Sequence, residues 1–302
     1  MSNWLLVVYR DWLGHVVHRL KQELLKQNYL HIDETHVQVL GEPGRKNTSN
    51  SYMWVYCSIK DAENPVRYFE YQPGRGGKYP EAFLKGYEGY IHTDAYSGYN
   101  GIIGVKRCLC YTHLRRTFVD ALPKDVHTPE ASKPAEAILR LNKLFDLEAE
   151  LETYSPDQKK KERLLHEKPL LEAFWSWAEK NAVGELPKSK LSKAFHYALN
   201  NRQEFFQYLE DGHCSISNSL AENCIRPFVI GRKNWLFAGS PKGASASAGI
   251  YTLVETAKAN GLAPMKYIKY ILSDMPGSAF LEHPEYLDDY LPWNPMVKEL
   301  CQ

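Results

Sequence analysis

Three runs dense in aromatic and β-branched residues follow one another between positions 29 and 71 with only two breaks between them. Tyr29–Leu40 is broken by Gly41-Glu42-Pro43-Gly44, Ser51–Ile59 is followed by the Asn64-Pro65 turn, and Val66–Tyr71 stops at Pro73-Gly74-Arg75-Gly76-Gly77. Strands joined by short turns pair antiparallel, because a parallel return needs a long crossover. The pattern predicts a three-stranded meander.

The rest of the chain must be added to that meander. A short helix is expected over Pro80–Gly86, with proline in its first turn. A fourth strand follows over Gly89–Thr93 and a fifth over Val105–Cys110. From His113 to Asp211 the spacing turns helical; Ile138, Leu141, Leu144, Phe145 and Leu151 share one face, and Ser155-Pro156 opens another helix. Later helices are expected over Ser219–Ile230, stopped by Gly231, over Ala248–Ala259, capped by Asn260-Gly261, and from Pro264 to just before Pro276-Gly277. At the front, Leu5, Val8, Trp12, Val16, Leu20 and Leu24 are helically spaced, and so early a helix reads as part of a longer protein.

Three antiparallel strands, a helix, a strand and then mostly helix is the order of a ribonuclease-H-like domain. The expected class is α/β, a mixed sheet of three antiparallel strands plus parallel strands, with a large all-helical insertion. The divisions read as an N-terminal helix (1–28), a first core part (29–124), the insertion (125–212), a core completion (213–275) and an acidic tail (276–302). In such a fold the first and fourth strands are central neighbours.

No apolar run approaches the roughly 20 residues of a bilayer span, and the start lacks a signal-peptide pattern, so the chain reads as intracellular and cytoplasmic. Six cysteines in 302 residues are no disulfide framework, and the absence of Cys-x-x-Cys speaks against a four-cysteine zinc site. A net charge of +1 excludes a wholly basic DNA coat. That balance is a cancellation. Residues 217–270 hold seven Lys+Arg against Glu222 and Glu255, whereas 274–302 hold six acids against Lys298.

Three acids stand out. Asp33 lies inside the first strand, where burial of a charge is costly unless it is paired or metal-bound. Alternation places it on the face of Thr35, Val37 and Val39, with Glu34 on the other. Asp94 ends the fourth strand before a glycine-containing loop, a position well placed for chemistry, though an acid there is more commonly an Asx-turn residue or a helix N-cap. Glu222 sits in Ser219-Leu220-Ala221-Glu222, which fits a capping box and also allows it to face the sheet. Two strands and a late helix offering three carboxylates suit two hard divalent ions, which prefer oxygen ligands and can drive phosphoryl transfer.

At these residues the chain resembles the DDE transposases of insertion-sequence family 66. The matching segments, in order, are YLHIDETHVQVL (29–40), NTSNSYMWVY (47–56), PGRGG (73–77), HTDAYSGYN (92–100), CYTHLRR (110–116), RKNWLFAGS (232–240), TLVETAKANGLAP (252–264) and LPWN (291–294). The resemblance implies the catalytic triad Asp33, Asp94 and Glu222 holding two Mg²⁺ or Mn²⁺ ions. It implies cutting at element ends with water as nucleophile and joining of the freed 3′-hydroxyl to target DNA. The implied partners are DNA, further copies of the chain on it, and accessory proteins of the same element, with no membrane. It also implies an N-terminal cysteine-rich, zinc-binding and DNA-binding extension, ahead of where this chain begins. One departure is local: the family's Asp-Asn-Asn before Leu-Ala-Glu is replaced by Ser217-Asn218-Ser219, and Asn223 follows in place of arginine. That leaves two alternatives open: another RNase-H-like nuclease, and a decayed, non-catalytic DNA-binding or assembly protein.

Cys110 and His113 form a Cys-x-x-His with no second half, read as a structural pair. Arg115, Arg116, Arg232, Lys233 and Lys242 are candidate DNA contacts. Trp235-Leu236-Phe237 reads as core, and residues 248–275 as an ordinary helical hairpin.

Overall fold

A computed structural model of the protein describes residues 3–123 and 132–302, so the expected boundary at 124/125 lies outside the described residues. In chain order the elements begin with α1 (Asn3–Val8), a π-helical turn (Tyr9–Leu13), α2 (Gly14–Leu24), β1 (Tyr29–Val39), β2 (Asn50–Ser58), β3 (Arg67–Gln72) and α3 (Lys78–Phe83). Then come β4 (Gly89–Thr93), β5 (Val105–Leu109), α4 (Tyr111–Asp120), α5 (Lys133–Glu150), α6 (Pro156–Glu162), α7 (Lys168–Ala182), α8 (Lys190–Asn200) and α9 (Arg202–Phe206). The last elements are α10 (Ser219–Trp235), β6 (Phe237–Ala238), α11 (Pro241–Ala259), α12 (Pro264–Asp274) and α13 (Pro295–Cys301). The chain forms two compact units: Met1–Gly89 with Gly98–Gly104 and Leu220–Gln302, and Tyr90–Ser97 with Val105–Ser219.

The first unit contains the expected meander. β1 and β2 are antiparallel with Asp33 opposite Val55, and β2 and β3 are antiparallel with Val55 opposite Phe69. β6 lies parallel to β1, Val39 opposite Ala238, so the sheet is mixed. Period-two alternation sends Val37, Val39, Met53, Val55, Cys57 and Phe69 to one face. There they pack against Ala221, Ile225 and Phe228 of α10 and Ala244 and Ala248 of α11. Each large side chain so buried contributes about 1.5–3 kcal/mol. On the other face Trp54 and Tyr56 are fully buried, and Tyr56 stacks on Phe83 of α3.

Two helices differ from the sequence expectation. α10 does not stop at Gly231 but runs through it to Trp235. A Cβ at Gly231 would stand 2.6 Å from the Tyr251 hydroxyl, so glycine serves close approach of α11 rather than termination. The helix ends at Leu236, which takes φ of +62° while its amide still bonds the Arg232 carbonyl at 2.8 Å. α11 begins at Pro241, well before Ala248, because the Ser240 side chain caps it by accepting the Gly243 amide at 3.1 Å. Its small residues give little periodic signal, yet Gly243, Ala244, Ala246 and Ala248 are buried. The core reading of 235–237 also fails in part: Trp235 packs against Phe228, but Leu236 is 63% and Phe237 45% exposed. The cause is β6, a strand too short to read from the sequence.

β3 is the outer strand of this sheet, and α11 lies along it. The Thr252 hydroxyl accepts the Phe69 amide at 2.8 Å, and the Thr256 hydroxyl, one helical turn on, accepts the Arg67 amide at 3.0 Å. Both threonines are fully buried. Thr252→Val keeps the shape but strands the Phe69 amide, an expected cost of about 1–3 kcal/mol in urea unfolding. Thr252→Ser should retain most of the stability, and an equal loss in both variants would count against the hydrogen bond. In the tail, apolar side chains hidden among the acids dock it: Leu287, Tyr290, Leu291, Val297 and Cys301 are buried, and the Tyr267 hydroxyl donates to the Tyr290 carbonyl at 2.7 Å.

The second unit sets β4 beside β5 and carries helices α4 to α9. Its centre is aromatic: Tyr111, Phe118, Phe174, Trp175, Phe195, Phe205 and Tyr208 are all buried and pack ring against ring. Between α6 and α7 a π-helical turn, Arg163–Glu167, turns two charged side chains inward. Arg163 holds both oxygens of Glu148, at 2.5 and 2.9 Å, and the Tyr208 hydroxyl donates to Glu167 at 2.6 Å.

Candidate active site

In the first unit, Asp33 stands mid-strand and half-buried, and its Oδ1 accepts the Glu34 amide at 2.9 Å. It shares its face with Val37 and Val39, the face that α10 covers. Glu222 lies in the first turn of that helix, also half-buried. A chemical thread links the two neighbourhoods. Cys57, two rungs along the same face, is pushed well above the usual thiol pKa by burial and by its hydrogen bond with Cys224, with the Asp33 charge adding to the shift. Cys224 lies two residues after Glu222. Asp33 and the Glu222 helix therefore belong to one neighbourhood of one unit.

Arg232, near the end of α10, reaches β1. Its Nη1 donates to the Thr35 hydroxyl at 3.0 Å and to the His36 carbonyl, and burial lowers its pKa. It is thus an anchor two residues from Asp33, fixed by sheet contacts. Lys233 and Lys242 are exposed.

The opposite face carries a site that sequence reasoning passed over. The Glu34 side chain is 2% exposed and accepts from Arg75 Nε at 2.5 Å and from the Tyr99 hydroxyl. Glu34, Arg75 and Tyr99 come from three of the separate motifs quoted above. Gly77 permits the convergence, since a Cβ there would stand 2.6 Å from the Gly98 carbonyl. Alternation put Glu34 on the face opposite Asp33, but a partner 41 positions away in a glycine loop has no periodicity to reveal it.

In the second unit, Asp94 follows β4 and makes the Asx-turn: its Oδ1 accepts the Tyr96 amide at 3.0 Å. The turn is clamped by Arg107 of β5, which is only 9% exposed. Arg107 Nε donates to the Thr93 hydroxyl at 2.8 Å, and Nη2 to the carbonyls of Asp94 and Tyr96 at 2.6 and 2.9 Å. Three acceptors in two directions need a planar fork, which lysine lacks. Arg107→Lys is expected to loosen the turn, raising amide exchange over residues 94–97 by about tenfold or more, the equivalent of one lost hydrogen bond to a charged group. Unchanged protection would remove Arg107 from this role.

Cys110 and His113 do meet. Burial acts to raise the Cys110 thiol, but hydrogen bonds from His113 and from the Asn218 amide, at 3.2 Å, outweigh it and lower its pKa. Arg115 is turned inward to Asn142 of α5 at 2.7 Å, whereas Arg116 is exposed. No helix among the described residues is long and apolar enough to cross a membrane.

Comparison with known proteins gives concordant matches. The model of the transposase IS66 family matches residues 1–246, and that of the IS66 C-terminal element matches residues 252–293. The chain is 28% identical to the uncharacterized protein y4qI of Sinorhizobium fredii, covering 94% of this chain and 55% of that protein. It is 26% identical to y4hP of the same organism, covering 87% of this chain and 50% of that protein. The chain thus spans about half the length of the curated relatives it matches. No solved structure matches it.

Proposed function

The chain belongs to the IS66 transposase family, and from that premise we propose that it forms the RNase-H-like catalytic region of a DNA transposase. Asp33, Asp94 and Glu222 are the proposed ligands of two Mg²⁺ or Mn²⁺ ions. Their donor chemistry fits: carboxylate oxygens are hard ligands, and half-burial lowers the competition from water without forbidding substrate entry. Such ions, when bound, supply activation of the attacking oxygen and charge stabilisation at the leaving oxygen.

The observation that carries the reading is Asp33 on the sheet face covered by the helix that bears Glu222. The chain's other residues have supporting parts. Arg107 holds the Asp94 turn and Arg232 fixes α10 to β1 beside Asp33. The exposed Arg116, Lys233 and Lys242 are the proposed phosphate contacts, and Arg115, engaged by Asn142, serves packing instead.

In the proposed reaction, water attacks the phosphodiester at an element end, a new P–O bond forms, and the 3′-oxygen leaves as a hydroxyl. That hydroxyl then attacks a target phosphodiester, displacing its 3′-oxygen. The test is cleavage of DNA carrying element ends, and joining of pre-cut ends, with Mn²⁺ supplied. Joined product supports the transposase reading. Cleavage without joining favours a plain nuclease, and neither activity favours a non-catalytic assembly protein.

A further inference from the structure

The second unit holds a cluster that involves none of the proposed catalytic carboxylates. His92 on β4, Cys108 on β5 and Cys214 in the segment after Glu210 bring a ring nitrogen and two sulfurs within 4.8 Å of one another. None of the three residues is more than 2% exposed. β4 and β5 are neighbours in the sheet, so two of the donors stand on adjacent strands. The third comes from a turn in which the Cys214 amide bonds the Asp211 carbonyl at 3.1 Å.

We propose that His92, Cys108 and Cys214 form a structural Zn²⁺ site. Two thiolates and an imidazole are soft to borderline ligands, the set that selects zinc over Mg²⁺. Zinc bonds of about 2.3 Å to sulfur and 2.0–2.1 Å to nitrogen put one nitrogen and two sulfurs in tetrahedral positions about 3.6–3.8 Å apart, inside the span observed. Charge agrees as well. Binding one Zn²⁺ releases the two thiol protons, with no change of oxidation state, and two thiolates with a neutral imidazole leave the site without net charge. A neutral site is the form a buried position tolerates. The fourth tetrahedral position is left to water or a neighbouring side chain.

The site's work is to fasten the segment that precedes α10. Cys214 is five residues before Ser219, where α10 begins, and a metal bond there ties that segment to β4 and β5. Ligands at positions 92, 108 and 214 have no local spacing, so the absence of Cys-x-x-Cys said nothing about them.

The test is metal analysis of the full chain purified without chelator from zinc-supplemented medium. One zinc per chain is expected, retained in Cys110→Ser and lost in both Cys108→Ser and Cys214→Ser, with circular dichroism reporting whether each variant folds. The Co²⁺-loaded wild-type chain needs no variant and should show a thiolate-to-cobalt charge-transfer band of two-thiolate intensity. Absence of stoichiometric zinc, zinc that survives both cysteine substitutions, or a Cys108–Cys214 disulfide in the isolated chain would overturn the proposal.

Discussion

Asp94→Asn is expected to remove metal-dependent DNA cleavage by about a thousandfold or more while the protein stays folded. The choice of asparagine matters. Asp94 already accepts the Tyr96 amide, and an asparagine carbonyl can accept the same bond. Arg107 grips the backbone carbonyls of this turn, which the substitution does not touch. What asparagine loses is the negative charge that the proposed divalent ion would require. A metal clamp supplies several kcal/mol of transition-state stabilisation, and each 1.36 kcal/mol is about tenfold in rate. Near-normal cleavage by a folded Asp94→Asn chain would dismiss Asp94 from catalysis. Asp33→Asn and Glu222→Gln should act alike, and the three losses should not add, because the acids are proposed to serve one metal centre.

The largest effect on stability is expected at Arg163 in the second unit. Its side chain is 2% exposed and holds both Glu148 oxygens, with Glu167 fully buried nearby. Arg163→Met would leave Glu148 without its cation, an expected cost of about 3–5 kcal/mol. Urea unfolding followed by circular dichroism would measure it; a loss under 1 kcal/mol would mean that water reaches the pair. The same network has a pH signature. Burial, and then the Glu148 charge, push Glu167 up to about 8 from its ordinary 4.5. The folded state therefore binds this proton more tightly than the unfolded chain. Its stabilising contribution is full below about pH 4.5 and is lost as pH rises toward 8. Glu167→Gln should flatten that part of the stability profile, and an unchanged slope would assign it to other groups.

Much of the first unit could be read from the chain because its signals are local. Alternation located β1, β2 and β3 to within a residue or two and assigned Asp33 its face. The strand end before a glycine-containing loop located Asp94, and the first turn of a helix located Glu222. The errors arose where tertiary packing overrode local chemistry. Gly231 looked like a stop and is a contact point for Tyr251. The start of α11 looked like a loop because small residues carry no periodicity, yet they let a helix sit close against the sheet. The partners of Arg107, the partners of Glu34 and the His92–Cys108–Cys214 cluster were invisible for one shared reason. The residues that meet lie from 11 to more than 100 positions apart, and no spacing rule spans such separations.

The two threonines on α11 have a consequence in time. They close the open edge of β3 from 183 and 189 positions further along the chain. At a ribosomal pace of about 5–20 residues per second, β3 waits roughly 10–40 s for them. Throughout that interval the nascent sheet has bare amides along one side, the surface onto which a stranger's strand can graft. Yield in the cell therefore depends on how well that interval is policed, and slowing translation between β3 and α11 should divert more chains into inclusion bodies.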